Sequence, residues 1–306
     1  MEKRLIGKPI ATLINRVSKE LIQEHELRPK MVLIQVGEDP ASSYYVKSII
    51  RTAKRLGCVA ELLTLDKDAP QEELIGTIFM ANQDPDIHGI MIQKPLPKGF
   101  EEHIISEKVD PLKDIDALNP INLGLMQMEN EVFVPCTPAA VYYAMRYYGI
   151  DPQGKSLVIL GRSNVVGKPL ANMMLWKRPF ANATVTVCHS RTKNIEDICR
   201  NADILVSAIG IAHFVKADMI KENAIIIDVG INEIKDASGE DIFVGDVDYE
   251  ACQDKALAIT PVPGGIGRIT TAVLYSHLVQ SALISGNINK NVDELINLKF
   301  SEIHEK

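Results

Sequence analysis

Residues 156–176 read SLVILGRSNVVGKPLANMMLW, and the order of their parts decides the fold: an apolar strand, a turn bearing Gly161 and Gly167, and a helix with Pro169 near its start. That arrangement aims backbone N–H groups at a phosphate. It is not the dinucleotide fingerprint, because Gly161, Ser163 and Gly167 give G-x-S-x-x-x-G in place of G-x-G-x-x-G. Taken alone, the turn fits a plain strand-to-helix connection as well as a phosphate cradle. Its position favours the cradle. TVTVCH (184–189), DILVSAI (203–209), AIIIDVG (224–230) and LAIT (257–260) follow as short apolar strands, with helical stretches at about 195–201 and 216–222. Such strands suit a parallel sheet buried on both faces, and the turn opens the series where doubly wound sheets bind nucleotides.

Upstream of the turn the pattern is β-α-β-α-β. MVLIQVG (31–37), AELLTL (60–65) and HGIMIQ (88–93) read as strands, and helices are expected at about 9–27, 41–56 and 71–82. Residues 95–136 are rich in Pro, Asn and Asp and read as a function-bearing loop, with a helix from near Thr137 joining the halves. The run ITTAVLYSHLVQSALIS (269–285) is helical and suited to pack back onto the first half, and the polar tail after 286 reads as a peripheral helix. The expected fold class is therefore α/β, with two α/β domains, the second a Rossmann-like doubly wound parallel sheet.

Composition narrows the partner. The chain has 306 residues, 46% of them hydrophobic, and a net charge of -7. With no basic stripe, nucleic acid and anionic membrane surfaces are poor partners, and a small molecule is the better one. No stretch approaches the ~18–20 apolar residues of a membrane span, and MEKRLIGKPI lacks a signal peptide's apolar run. The five cysteines (58, 136, 188, 199 and 252) are scattered without CxxC pairs, so no metal site is expected and the thiols read as reduced, in a cytoplasm.

At the end of the second strand of the later series, CHSRT places Ser190 and Arg191 where dinucleotide folds carry an acid for a free ribose 2′-OH, or basic and hydroxyl groups for a 2′-phosphate. Arg162 is available from the first turn. These residues favour NADP over NAD, with a solvated loop arginine as the equal alternative for Arg191.

Seven segments in order, VGEDPASSYYV (36–46), HGIMIQKPLP (88–97), KDIDALNPINLG (113–124), VPCTP (134–138), GRSNVVGKP (161–169), CHSRT (188–192) and TPVPGGIG (260–267), resemble the methylenetetrahydrofolate dehydrogenase/cyclohydrolase family across nearly the whole chain. The resemblance implies a homodimer of two-domain subunits acting on tetrahydrofolate with NADP, NAD being possible, in a cleft between the domains. Residues 1–138, completed by a helix at about 268–306, would be the folate-binding catalytic domain, and 139–267 the dinucleotide domain. Carried over by position, Tyr45 would stack beside the folate, Gln93 would stand at the reacting carbon, and Asp116 would hold the pterin N–H and amino group. Gly264 and Gly265 would permit close approach of folate and nicotinamide. Gly161, Arg162, Ser163, Val166, Gly167, Ser190 and Arg191 would hold the dinucleotide. Each has a plainer reading: a half-buried helix tyrosine, a strand-end amide, an Asx-turn in KDID (better suited to Asp114), a turn of glycines.

The chain departs from the family pattern at informative places. The family has Tyr-x-x-x-Lys, and the lysine position is Ile49; Lys47 is turned about 200° away on a helix. Lys94 replaces the usual apolar residue after the glutamine, Ala117 a usual glycine, and Arg268 a usual proline. Oxidation of a methylene bridge needs alignment and no proton acceptor, whereas hydrolysis of the methenyl product needs protons to move, where a positioned lysine–glutamine pair contributes about 10²–10⁴. The residues thus point to an NADP-dependent 5,10-methylenetetrahydrofolate dehydrogenase with weak or lost cyclohydrolase. The alternatives are a bifunctional enzyme with Lys94 as a relocated lysine, and a non-catalytic folate- or nucleotide-binding paralogue.

Overall fold

The structure, a computed structural model, describes residues 3–37, 40–236 and 238–304, with the backbone alone described at residues 40–45. In chain order the first elements are α1 (Gly7–Glu24), β1 (Lys30–Val36), α2 (Pro40–Leu56), β2 (Val59–Leu65), α3 (Gln71–Gln83) and β3 (Gly89–Ile92). Then come α4 (Glu102–Lys108), α5 (Pro120–Gln127) and α6 (Cys136–Tyr147). The second series is β4 (Ser156–Leu160), α7 (Gly167–Met174), β5 (Thr184–Cys188), α8 (Ile195–Arg200), β6 (Ile204–Ser207), β7 (Ile225–Asp228), β8 (Asn232–Lys235) and β9 (Asp241–Val244). The chain continues through α9 (Tyr249–Cys252), β10 (Ala258–Ile259), α10 (Ile266–Ser285) and α11 (Val292–His304).

By contacts the chain forms two compact units, Met1–Thr12 with Pro135–Thr270 and Phe300–Lys306, and Leu13–Val134 with Thr271–Lys299. The expected assignment of 1–138 and 268–306 to one domain differs from this division at both chain ends. Local bonds explain the difference. Leu5 N donates to Ile259 O at 2.9 Å, Ile259 N to Lys3 O at 2.8 Å and Gly7 N to Gly264 O at 2.9 Å. At the other end Phe300 packs edge-on against Tyr143 and Tyr147.

The Leu13–Val134 unit is built on a parallel sheet in the order β2-β1-β3. β1 is central and buried from Met31 to Gln35, as a strand covered on both faces must be. One face, carrying Val32, Ile34 and Ile90, packs on Leu74, Ile78 and Ala81 of α3 and Ile105 of α4. Alternation sends Met31, Leu33 and Gln35, and likewise Gly89, Met91 and Gln93, to the other face. There α10 covers the sheet: a Cβ on Gly89 would stand 2.9 Å from Leu278 Cδ1.

The other unit holds a five-stranded parallel sheet, β10-β7-β6-β4-β5. Numbered within the sheet this is the 2-1-3-4-5 doubly wound order, in which the chain reverses direction between β4 and β6 and leaves a crevice at their carboxyl ends. Val158, Leu160, Leu205 and Ile226 fill the core beneath with Cys188, Cys199 and Cys252. All five cysteines are buried, and burial pushes the thiols of Cys58 and Cys199 up to about 12 and that of Cys252 to about 11.

Three expectations need correction. The stretch 95–136 is not loop throughout, since it contains α4 and α5. α5 has a sequence signal, Asn119 capping Ile121 N and Pro120 at its first position, while α4 has seven residues, too few for a clear period. The helix expected at 216–222 is a single 3₁₀ turn, Ala217–Met219, flanked by extended residues. The tail helix is not merely peripheral, because Val292, Ile296 and Phe300 are buried. A hairpin, β8–β9, was not anticipated; Asp236 Oδ1 closes its turn by accepting from Ser238 N and Glu240 N.

Candidate functional site

Local packing forces the turn after β4. Gly161 has φ +115, and a Cβ there would lie 2.3 Å from Ala208 O; a Cβ on Gly167 would lie 2.1 Å from Gly161 O. Both glycines are thus required for α7 to start this close to the end of β4. Ser163 Oγ accepts from Val166 N at 3.0 Å and shapes the turn from within. The side chains of Arg162 and Ser163 are exposed and that of Val166 is half-buried.

The end of the neighbouring strand, β5, is tied to this turn by Gly161 N donating to Cys188 O at 2.9 Å. Arg191 N donates to His189 Nδ1 at 3.1 Å and His189 N to Thr192 Oγ1 at 2.9 Å, so the 189–192 turn is held by its own side chains. Ser190 and Arg191 are left exposed on it. Backbone that can be approached closely, a helix start and exposed cations on adjacent strand ends suit a dinucleotide phosphate. Gly264 has φ +110, and a Cβ on Gly265 would be 2.6 Å from Pro261 O, so the PVPGGIG turn also needs its glycines; Arg268 beyond it is exposed.

In the other unit the carried-over residues divide between the two faces of the three-stranded sheet. Asp116 is half-buried and lines a small, open pocket with Ile90, Ile92, Lys94, Ser106 and Asp114 among others. The Lys94 ammonium lies 2.8 Å from Glu102 Oε2 of α4 and is therefore already paired. Asp114 is the structural acid of KDID. Its Oδ2 accepts from Asn119 N at 2.7 Å and Asn122 Nδ2 at 3.0 Å, and burial raises its pKa. Ala117, fully buried at φ 56, occupies a left-handed conformation that glycine adopts more easily.

Gln93 stands on the opposite face, toward α10. Its Nε2 donates to Lys94 O at 2.9 Å, and Gln35, its neighbour on β1, donates from Nε2 to Gly37 O at 2.7 Å. With each amide nitrogen bound to a carbonyl, each Oε1 is fixed as the outward acceptor, and both Oε1 atoms are buried without a donor among the described residues. Ile49 belongs to this side too. It is 0% exposed, and its carbonyl accepts from the buried Tyr275 OH of α10 at 2.6 Å. The Tyr45 side chain lies outside the described residues.

Sequence reasoning missed the supports from α10. Besides Tyr275, His277 bonds Ile115 O through Nδ1 at 2.9 Å, and Ser281 Oγ donates to His88 O and Leu112 O. Burial lowers the His277 pKa to about 4, so the ring is neutral and donates. Polar residues in the middle of an apolar helix were the available signal, because buried polar groups must be satisfied. Among the described residues no cluster of His, Cys, Asp and Glu could hold a metal, and no helix is long and apolar enough to cross a membrane.

Comparison with known proteins covers both units. Residues 5–116 match the family profile described as tetrahydrofolate dehydrogenase/cyclohydrolase, catalytic domain, and residues 135–285 its NAD(P)-binding domain. The bifunctional protein FolD of Prosthecochloris aestuarii is 43% identical over 290 residues, which is 92% of this chain and 98% of that one. Among solved structures, the bifunctional FolD enzyme of Campylobacter jejuni superposes with a TM-score of 0.85 at 39% identity, over 91% of this chain and 97% of its own. The Trypanosoma brucei methylenetetrahydrofolate dehydrogenase-cyclohydrolase, complexed with NADP cofactor and inhibitor, gives 0.84 at 33% identity, over 94% and 97%.

Proposed function

Since this chain belongs to the tetrahydrofolate dehydrogenase/cyclohydrolase family, we propose that it oxidises 5,10-methylenetetrahydrofolate to 5,10-methenyltetrahydrofolate with NADP and hydrolyses that product only weakly. The observation that carries the second part is the fully buried, aliphatic side chain at position 49, where the family pattern has lysine. NADP, when bound, would supply the nicotinamide as hydride acceptor. The chain's own residues bind and orient. Arg162, Ser190 and Arg191 would hold the 2′-phosphate, the Gly161–Gly167 turn would offer backbone N–H groups to the diphosphate, and Asp116 would accept from the pterin edge. Hydride loss from the methylene carbon leaves a cation stabilised by the flanking nitrogens, so this step calls on no proton acceptor. Hydrolysis does, and Ile49 can neither donate nor accept.

The relatives named bifunctional favour a second reading, in which another group replaces the lysine. Lys94 is the candidate amine. Its bond to Glu102 weighs against it. The homodimer implied by the resemblance and the cytoplasmic location read from the scattered cysteines belong to the proposal as well.

Asp116→Asn tests the folate assignment. An amide offers one acceptor where the pterin edge presents two donors, so dehydrogenase kcat/KM for folate should fall about 10-fold or more while NADP affinity holds. Parent-level folate kinetics in that variant would remove Asp116 from the site. A parent that reduces no NADP in the presence of methylenetetrahydrofolate would leave the non-catalytic paralogue as the reading.

A further inference from the structure

Two buried carboxylates stand at the carboxyl ends of β6 and β7. Asp246 is 0% exposed and receives five donors. Its Oδ2 accepts from Ile209 N at 2.7 Å, Gly210 N at 3.2 Å and Ser207 Oγ at 3.2 Å, and its Oδ1 from Ile211 N and Asn232 Nδ2, both at 3.0 Å. Three consecutive backbone N–H groups converging on one point form an anion-binding concavity, and here the chain's own carboxylate fills it. Asp228 anchors Asp246 in turn. Its Oδ1 accepts from Asp246 N at 3.1 Å and Gly230 N at 3.0 Å, and its Oδ2 from Val247 N at 2.9 Å. The packing leaves no slack, because a Cβ on Gly230 would lie 2.1 Å from Asp246 Oδ1, and one on Gly245 would lie 1.8 Å from Asp228 Oδ2.

The segment held this way continues directly from Ala208, whose carbonyl lies against Gly161 of the phosphate turn and whose N–H donates to Leu160 O at 2.9 Å. We propose that Asp246 is a positioning residue for the dinucleotide: it fixes residues 208–211 as one wall of the crevice at the β4/β6 reversal, and so sets affinity for the cofactor without touching it. This rests on reading the Gly161–Gly167 turn as the dinucleotide site. A purely structural role predicts loss of stability with unchanged affinity in whatever fraction stays folded. A positioning role predicts that affinity falls in a folded protein.

The experiment is calorimetric titration of the full chain with NADP, with thermal unfolding and folate KM measured alongside, for the parent, Asp246→Asn and Ser207→Ala. Asn at 246 turns an N–H₂ group toward converging donors, so the NADP Kd should rise about 10-fold or more while the folate KM at saturating NADP stays near the parent value. Ser207→Ala removes one donor, leaves the fold intact, and should raise Kd by a smaller factor, about 2–5-fold. If Asp246→Asn does not fold, Ser207→Ala decides. Variants with a lowered unfolding temperature but the parent Kd, measured well below that temperature, would overturn the proposal alone. A parent that binds no dinucleotide would overturn it together with the reading of the turn.

Discussion

Replacing Ile49 with Lys should restore methenyl hydrolysis, and the structure sets the size of both the gain and the cost. Ile49 is fully buried, so the substitution forfeits about 1.5–3 kcal/mol of apolar burial, less whatever the lysine methylenes recover. Taking the ammonium from water costs several kcal/mol. Against this stand the Oε1 atoms of Gln35 and Gln93, buried acceptors on the same side of the sheet. A charge-assisted bond to one of them, about 1.5–3 kcal/mol, would offset part of that cost, so the variant should be less stable than the parent. The same burial depresses the ammonium's pKa toward the range where it exchanges protons at neutral pH. Hydrolysis should then rise about 10²–10⁴-fold, equivalent to about 3–5 kcal/mol of barrier. The assay follows methenyl absorbance decay and NADPH formation separately in the parent, Ile49→Lys, Lys94→Leu and Ile49→Lys/Gln93→Leu. The gain should vanish in the double variant. Ile49→Lys that keeps hydride transfer yet hydrolyses no faster than the parent would refute the reasoning, and brisk parental hydrolysis that collapses in Lys94→Leu would install Lys94 as the amine.

Two further outcomes follow from the geometry. Arg191→Ala and Arg162→Ala should each lower the NADP/NAD ratio of kcat/KM, by about 10-fold or more for a charge-assisted bond to the 2′-phosphate, and an unchanged ratio in both would remove them from that role. Burial lowers the folded-state pKa of His277 from 6.5 to about 4, so the folded chain binds fewer protons there than the unfolded chain does. Its contribution is complete above pH 6.5 and is lost as pH falls toward 4, an interval worth ~3 kcal/mol. Urea unfolding across that range should show the decline in the parent and a flatter profile in His277→Gln; identical slopes would contradict it.

The fold was legible where periodicity and punctuation agreed. SLVIL, the glycine turn and the strands after it announce a parallel doubly wound sheet, because strands buried on both faces leave uninterrupted apolar runs. The β8–β9 hairpin escaped because its strands, NEIK and DIFV, are largely polar or exposed and carry no such run. On the folate side, position 49 could be flagged from sequence as an aliphatic side chain where a lysine was expected. Its complete burial, and the two glutamine acceptors that find no donor among the described residues, arise only when the helices cover the sheet. Gln35 was visible as an amide inside an apolar strand, a signal that went unused. Asp228 and Asp246 are 18 positions apart, and nothing local marks either as buried; only the packing of the strand ends brings donors from residues 207–211 and 232 to one carboxylate.

The distribution of thiols turns the molecule into its own reporter of opening. Every cysteine is buried, and three have thiols pushed to about 11 or 12, where almost no thiolate exists at neutral pH. An alkylating reagent therefore modifies a given cysteine only in molecules that have opened around it. Cys58 lies in the Leu13–Val134 unit, whereas Cys136, Cys188, Cys199 and Cys252 lie in the other. Peptide mapping after a brief alkylation pulse would then show which unit loosens first under heat or denaturant, and to which unit the damage done by any substitution is confined, with no residue changed for the purpose.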